Sequence, residues 1–445
     1  MINIFKISTI DLVKKLREGE ISSVDVCTKY IERIEKFEKD VKAWSHFSKK
    51  LLLEKAKEAD EYRNTGKPLG ALHGLPVAVK DIFGTLEMPT ECGTKIRKKM
   101  TASQDSEVVN LLKIAGAIIM GKTETTELAY FHPGKTTNPH DYSRTPGGSS
   151  SGSAAVVASH MSPLSVGSQT NGSVIRPASY CGVVGYKPSY GLISRSGVLK
   201  QSDKLDHVGV FGKNVTDVAL LAKTLIKKDI YDPSTIHYSA EDMLEVCKKG
   251  PIFEPQFIFY KTKNWKNISK ESKKSFEFFI KTFKKNIEVF DTPSYFDEIP
   301  KYHKIIHETD MANSFEIYFK KYKTKLSKQM LNAIERGLKY SAKEYAEATD
   351  FMKRSYESYK EVFEDYHGVL TPATTGVAPK GLKSTGSPEF CTTWTYLGLP
   401  SISLPLLTGE NNLPLGMQLI GDKLDDLRFL GVASWLEKNC KKFNE

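Results

Sequence analysis

The chain has no Cys-x-x-Cys pair, no long apolar run and little arginine, and each shortage removes a class of protein. Its six cysteines, Cys27, Cys92, Cys181, Cys247, Cys391 and Cys440, are scattered along 445 residues. That usage fits a reducing compartment better than a disulfide framework or a thiolate metal site. The opening Met1-Ile2-Asn3-Ile4-Phe5-Lys6 leads into a charged helix instead of a signal peptide, so a cytoplasmic location is expected. The longest apolar stretches are strand-sized, such as Ala117 to Met120, whereas a membrane helix needs about 20 such residues. No membrane association is expected.

A net charge of +11 invites a nucleic-acid partner, but of the 64 basic residues only ten are arginine and 54 are lysine. Planar, bidentate recognition of phosphates and bases favours arginine. The densest basic patch, Lys261 to Lys285, interleaves Phe276, Phe278, Phe279 and Phe283 at helical spacing and reads as a solvated face behind a core stripe. Nucleic acid is therefore not the expected partner. A non-catalytic or nucleic-acid-binding protein is the alternative of another class, and only the charge favours it.

Glycine is nearly absent from one region and dense in another. Residues 70–215 hold eighteen glycines between short apolar runs (Leu75 to Val79, Ala117 to Met120, Leu164 to Val166, Val183 to Tyr186), the texture of strands joined by tight turns. Between Pro251 and His367 there is one, Gly337. The expected organisation is a single sheet-centred α/β unit: N-terminal helices over 1–65, a core over 70–217, a mostly helical cover over 218–367, and strands plus a closing helix over 368–445 that rejoin the core. Ser8 with Asp11 and Ser341 with Glu344 are helix-start signatures, and Gly19 is a stop. One long helix is expected from Ser341 through Phe363 to Gly368.

Three motifs satisfy well-known patterns without their physical context. Gly116-Ala117-Ile118-Ile119-Met120-Gly121-Lys122-Thr123 has phosphate-loop spacing, but its central residues form an apolar run that reads as the strand itself. Gly148-Ser149-Ser150-Ser151-Gly152 has the spacing of a nucleophile elbow, yet Asp141 to Pro146 before it cannot form the required strand. Ser150 with His207 or His367 as base is thus a weak alternative. His303 and His307, one helical turn apart, lack the glutamate and further ligands of a zinc site and read as a solvated helix face.

Three other pieces make mutually consistent demands. Lys80 ends the strand Leu75-Pro76-Val77-Ala78-Val79; an ordinary pairing with Asp81 competes with the reading of a desolvated, neutral base. Gly147-Gly148-Ser149-Ser150-Ser151-Gly152-Ser153 runs straight into the small, apolar Ala154-Ala155-Val156-Val157-Ala158, which linkers do not do. The turn Thr170-Asn171-Gly172-Ser173 follows a strand and precedes Val174-Ile175-Arg176-Pro177-Ala178, so its N–H groups can converge where a carbonyl oxygen gains charge.

Together with Gln169 to Pro188, these residues resemble the amidase signature family, densely from Leu72 to Asp217 and more loosely from Leu370 to Leu430. The resemblance implies an α/β/α sandwich around a large mixed sheet. It makes Ser173 the nucleophile, Ser149 the bridging serine on a cis peptide, and Lys80 the base. The N–H groups of Thr170, Asn171, Gly172 and Ser173 become the oxyanion hole. It also implies an amidase cleaving a small linear amide through an acyl-enzyme, with no metal or organic cofactor. Two departures stand out. Asn171 replaces the usual glycine or alanine, tolerating left-handed backbone but narrowing the pocket. Gln169 and the order Ser173-Val174-Ile175-Arg176 depart from the glutaminase component of tRNA-dependent amidotransferases, whose role is the alternative, and point to stand-alone amidases of the malonamidase type. Arg176 and Gln169 are then candidates for substrate binding, Arg176 toward a carboxylate or as a structural ion pair. Phe390 and Trp394 are candidates for lining the pocket, or for packing. A homodimer is the default assembly.

Overall fold

Pro76-Val77-Ala78-Val79-Lys80 is a short, β-branched run, buried at every position, and so belongs at the centre of a sheet with both faces covered. The computed structural model, which describes residues 3–441, places it there; Met1 and Ile2 and residues 442–445 lie outside the described residues. Eleven strands make one mixed sheet: β1 (Trp44–Phe47), β2 (Pro76–Lys80), β3 (Ile118–Thr123), β4 (Leu164–Gln169), β5 (Val184–Lys187), β6 (His207–Gly212), β7 (Phe257–Lys261), β8 (Ile287–Asp291), β9 (Gly368–Pro372), β10 (Ser401–Thr408) and β11 (Pro414–Ile420). Their spatial order is β1-β3-β2-β4-β6-β5-β10-β11-β9-β7-β8. Helices cover both faces, giving the expected α/β/α sandwich. No helix among the described residues is long and apolar enough to cross a membrane.

The topology is what assembles the site. Parallel β2 and β4 are neighbours, with Val77 opposite Leu164 and Val79 opposite Val166. Their C-terminal ends therefore open at the same edge, where Lys80 finishes one strand and Ser168 and Gln169 finish the other. Ligand chemistry in α/β sheets gathers at such carboxyl ends. The helix Ser151–Ala158 packs against β2 and β4 and carries the serine-rich turn to that edge. Gly152 in its first turn has no room for a side chain, since a Cβ would lie 2.3 Å from the Ala43 carbonyl oxygen.

The segment 218–367 differs from the expected helical cover. It contributes β7 and β8, which extend the sheet in parallel beyond β9. Phe257-Ile258-Phe259-Tyr260 is a run without alternation because β7 is buried on both faces, and its lysine-rich surroundings hide it in the sequence. In the neighbouring helix Lys270–Thr282, Phe276 and Phe279 are buried, whereas Phe278 is 70% exposed and not part of the core stripe. The helix from Ser341 has its capping box but ends at Glu357, and a second short helix, Val362–Asp365, follows. The chain turns there so that Tyr359 and Phe363 enter an aromatic cluster with Tyr260, Phe296 and Trp394. Helix Ile299–Ser314 also departs from the expectation: His303 and His307 are buried on the face toward the sheet edge, not solvated.

The lone glycine between Pro251 and His367, Gly337, marks a close helix crossing. A Cβ on Gly337 would lie 1.9 Å from the carbonyl oxygen of Glu308. Helices Lys328–Gly337 and Ile299–Ser314 therefore meet backbone to backbone at that point. Gly337→Ala is expected to destabilise the protein by about 1–3 kcal/mol through this overpacking, read as a lower urea midpoint; an unchanged midpoint would show that the crossing has slack.

Candidate active site

Three lysines are fully buried among the described residues, Lys80, Lys122 and Lys187, and their partners separate their roles. Lys122 donates to the carbonyl oxygens of Phe83 and Pro89 and the hydroxyls of Thr85 and Thr90, and pairs with Asp81 at 3.4 Å. Lys187 donates to the carbonyl oxygens of Leu399 and Pro188. Lys80 meets only hydroxyls, Ser149 Oγ at 2.7 Å and Ser168 Oγ at 2.9 Å. The competing pairing of Lys80 with Asp81 is not made; Asp81 turns to Lys122 and the Glu91 N–H. Burial pulls the Lys80 pKa down to about 7, with the Asp206 charge opposing. Burial lowers Lys187 equally, to about 7, but its partners are carbonyl oxygens, and Lys122 has Asp81 and carbonyl oxygens beside its two hydroxyls; of the three, Lys80 is the one bonded to hydroxyls alone.

Ser149 follows a cis Gly148–Ser149 peptide. Ser150, the elbow candidate, is locked to β4: its hydroxyl donates to the Ser168 carbonyl and accepts from the Ser168 N–H. Its two candidate bases are engaged elsewhere. His207 Nδ1 bonds the Leu205 carbonyl, and His367 stacks on Phe253 and accepts from the Gln256 N–H. The elbow reading fails on this geometry. The phosphate-loop spacing fails likewise, since Ile118–Thr123 is strand β3.

Ser173 sits in a loop whose carbonyl oxygens are each tied back. His303 Nε2 donates to Thr170 O at 2.9 Å, Thr395 Oγ1 donates to Asn171 O, and the Arg176 N–H donates to Gly172 O at 3.1 Å. The Thr170 hydroxyl donates to Asp206, whose other oxygen accepts from the N–H groups of Gln201 and Ser202. In a trans peptide the C=O and N–H point in opposite directions. Each held oxygen therefore sets the direction of the N–H on its own peptide, those of Asn171, Gly172 and Ser173 in turn. A cavity of about 910 Å³, lined in part by Ser168, Thr170, Gln201 and Asp206, adjoins this loop.

The four substrate-binding candidates are internal props. Gln169 Oε1 accepts from the N–H groups of Val174 and Ile175, capping the helix after Ser173, and its Nε2 donates to Thr395. Arg176 is 2% exposed, makes no ion pair among the described residues, and donates to the carbonyl oxygens of Thr385, Gly386 and Gly148. Phe390 and Trp394 are core residues, Trp394 inside the aromatic cluster. Asn171 does not adopt the left-handed backbone, and its Oδ1 accepts from Thr392 at 2.8 Å, which turns the side chain toward helix Thr392–Tyr396. Sequence reasoning missed Ser168, Asp206, His303 and Thr395. Ser168 alone had a local signal, its place at the end of β4 beside the Lys80 strand. His307 joins the same wall, donating from Nε2 to Gln201 Oε1 while Gln201 Nε2 donates to the Leu128 carbonyl.

Arg176→Lys keeps the charge but cannot span carbonyl oxygens on two separate segments. It is expected to cost about 2–4 kcal/mol of stability, measured by urea unfolding, because buried acceptors lose their donor.

The glutamyl-tRNA(Gln) amidotransferase of Alkaliphilus metalliredigens has an A subunit that is 30% identical over 99% of this chain and 98% of its own, and that of Sulfurihydrogenibium sp. is 31% identical over 97% and 96%. These relatives carry the amidotransferase name, so they do not support the expected closeness to malonamidase-type enzymes. Among solved structures, one from work on the evolutionary origins of an s-triazine catabolic enzyme superposes with a TM-score of 0.89 at 25% identity, covering 97% of this chain and 98% of that one. The peptide amidase of Stenotrophomonas maltophilia gives 0.86 at 22%, covering 98% and 97%, a likeness of fold. The Amidase family pattern matches residues 25–430, and the chain belongs to that family of enzymes acting on amide C–N bonds.

Proposed function

We propose that this protein hydrolyses an amide through a Ser173–Ser149–Lys80 relay. The observation that carries the reading is the fully buried Lys80 bonded to Ser149 and Ser168 and, among the described residues, to no carboxylate or carbonyl. Neutral Lys80 takes the Ser149 proton as Ser149 takes that of Ser173, and Ser173 Oγ bonds to the amide carbon. The resulting oxyanion faces the loop N–H groups of Asn171, Gly172 and Ser173. Ser149 then protonates the leaving nitrogen, the C–N bond breaks, and an acyl-Ser173 ester remains. Water attacks that ester by the same relay, releasing the acid and restoring Ser173.

Two readings of the substrate follow. The amidotransferase relatives support glutamine as the amide, its ammonia passing to a partner that modifies tRNA. The order Ser173-Val174-Ile175-Arg176 supports a stand-alone amidase acting on a small linear amide. Gln169 and Arg176 lose weight in that comparison, because both are engaged with the chain itself. The partnered glutaminase is therefore the better supported reading.

Ammonia release by the purified chain from glutamine and from a panel of small amides separates the two. Glutamine turnover raised by a co-purified partner supports the first, and turnover of another amide by the chain alone supports the second. Ser173→Ala is expected to lower either by at least about 1,000-fold, as loss of a nucleophile does. Lys80 works only when neutral, so kcat/KM should rise with pH through about 7 and level off above it. A rate that falls as pH rises through that range would remove Lys80 as the base.

A further inference from the structure

Among the described residues, the middle segment reaches the loop at Thr170 to Ser173 through one hydrogen bond, His303 Nε2–H to the Thr170 carbonyl, at 2.9 Å. His303 is 3% exposed, and burial pushes its pKa down to about 4, so the ring is neutral under ordinary conditions. A carbonyl oxygen only accepts, which fixes the tautomer: the proton is on Nε2.

The bond has a directional consequence. Thr170 O and the Asn171 N–H belong to one trans peptide and point in opposite directions. A donor that pins the oxygen therefore sets where the Asn171 N–H aims. The next peptide is set in the same way from another part of the chain, by Thr395 on Asn171 O. We propose that His303 is a positioning residue that aims the Asn171 N–H at the oxyanion, giving the middle segment a direct hold on the rate of the chemical step.

The surroundings fit a strut rather than a proton carrier. His307 lies on the same helix face with its ring 5.5 Å from that of His303 and is tied to Gln201. The edge of Tyr130 closes the far side of His307 at 5.6 Å, from the segment that precedes the serine-rich turn. Glu308 and Asp310, the carboxylates on this stretch of helix, are engaged with Arg336 and with Ser202 and Tyr345. Thr170 itself is held through its hydroxyl by Asp206, so the loop retains a second anchor when the histidine is changed.

The inference rests on Ser173 being the nucleophile, and its test reads the loop independently of catalysis. His303→Leu removes the donor at similar volume, and His303→Gln offers an amide N–H at the position of Nε2. Hydrogen exchange followed by mass spectrometry on a peptide spanning residues 168–175 is expected to speed up in His303→Leu and to stay near wild type in His303→Gln. The leucine variant should lose about 10- to 100-fold in kcat and in fluorophosphonate labelling of Ser173, with KM changed less than about threefold, as misplacement of a charge-stabilising donor does. The acid limb near pH 7 should not move in either variant, since Lys80 is untouched. Unchanged exchange and unchanged labelling in His303→Leu would overturn the proposal, as would equal losses in Leu and Gln. If the loop responds to the leucine but wild type labels at a serine other than Ser173, the strut stands and the Ser173 reading falls.

Discussion

A lysine ammonium removed from water must be compensated by charge or carbonyl oxygen, or give up its proton. Lys122 takes the first course beside Asp81; Lys187 and Lys80 are both pulled down to about 7, but Lys187 is held by carbonyl oxygens, whereas Lys80 is capped only by the hydroxyls of Ser149 and Ser168. Nearly everything distinctive about the core serves that difference. The central strand β2 excludes water from the lysine stem, β4 supplies Ser168 beside it, and the cis Gly148–Ser149 peptide delivers the other hydroxyl. Holding a lysine with a pKa of about 7 against an ordinary 10.5 costs about 4 kcal/mol of folding stability at neutral pH. The sign is fixed by linkage. The unfolded chain binds more protons between pH 7 and 10.5, so this contribution improves as pH rises through that window.

The Thr170 to Ser173 loop, proposed above as the oxyanion site, shows the complementary design. Its donors are backbone N–H groups, which have no side-chain freedom to lose, and their direction is set by what holds the carbonyl oxygens behind them. Those holds come from His303, Thr395 and the helix that starts at Ile175. Gln169 completes the arrangement by capping that helix through two N–H groups while bonding Thr395. One residue thereby links the strand, the loop and the helix Thr392–Tyr396. Arg176 acts similarly at larger scale, bridging the serine-rich turn at Gly148 to the chain at Thr385 and Gly386.

How much of this was legible in the sequence follows from the range of the interactions. The nearness of Lys80 to Ser149, on which the proposed relay rests, was legible because each sits in a local pattern of strand, turn and small residues that has few other uses. Helix caps at Ser8 and Ser341 were readable for the same reason. The strand β7 was hidden because burial on both faces erases alternation, and the break after Glu357 because the aromatic cluster, not local propensity, decides it. His303 gave no signal at all. Two histidines at helical spacing read the same whether they face water or a carbonyl oxygen 133 residues away in the chain, and only tertiary structure distinguishes the two. Gln169, Arg176, Phe390 and Trp394, read as candidates for substrate contact, are engaged with the chain itself for a related reason. A polar or aromatic residue near a reacting serine has more ways to support backbone than to touch a ligand.

The two peptides behind the proposed nucleophile are secured by side chains from positions 303 and 395, while the lysine lies at position 80. A chain emerging from the ribosome has Lys80, Ser149 and Ser173 in place long before either strut exists. Until synthesis passes Thr395 the loop lacks the two side chains that hold its carbonyl oxygens, and under the proposed mechanism the reaction waits for the fold to close. On that mechanism, order of synthesis becomes a safeguard: a truncated product carries the serines and the lysine, but not the side chains that hold the loop behind Ser173.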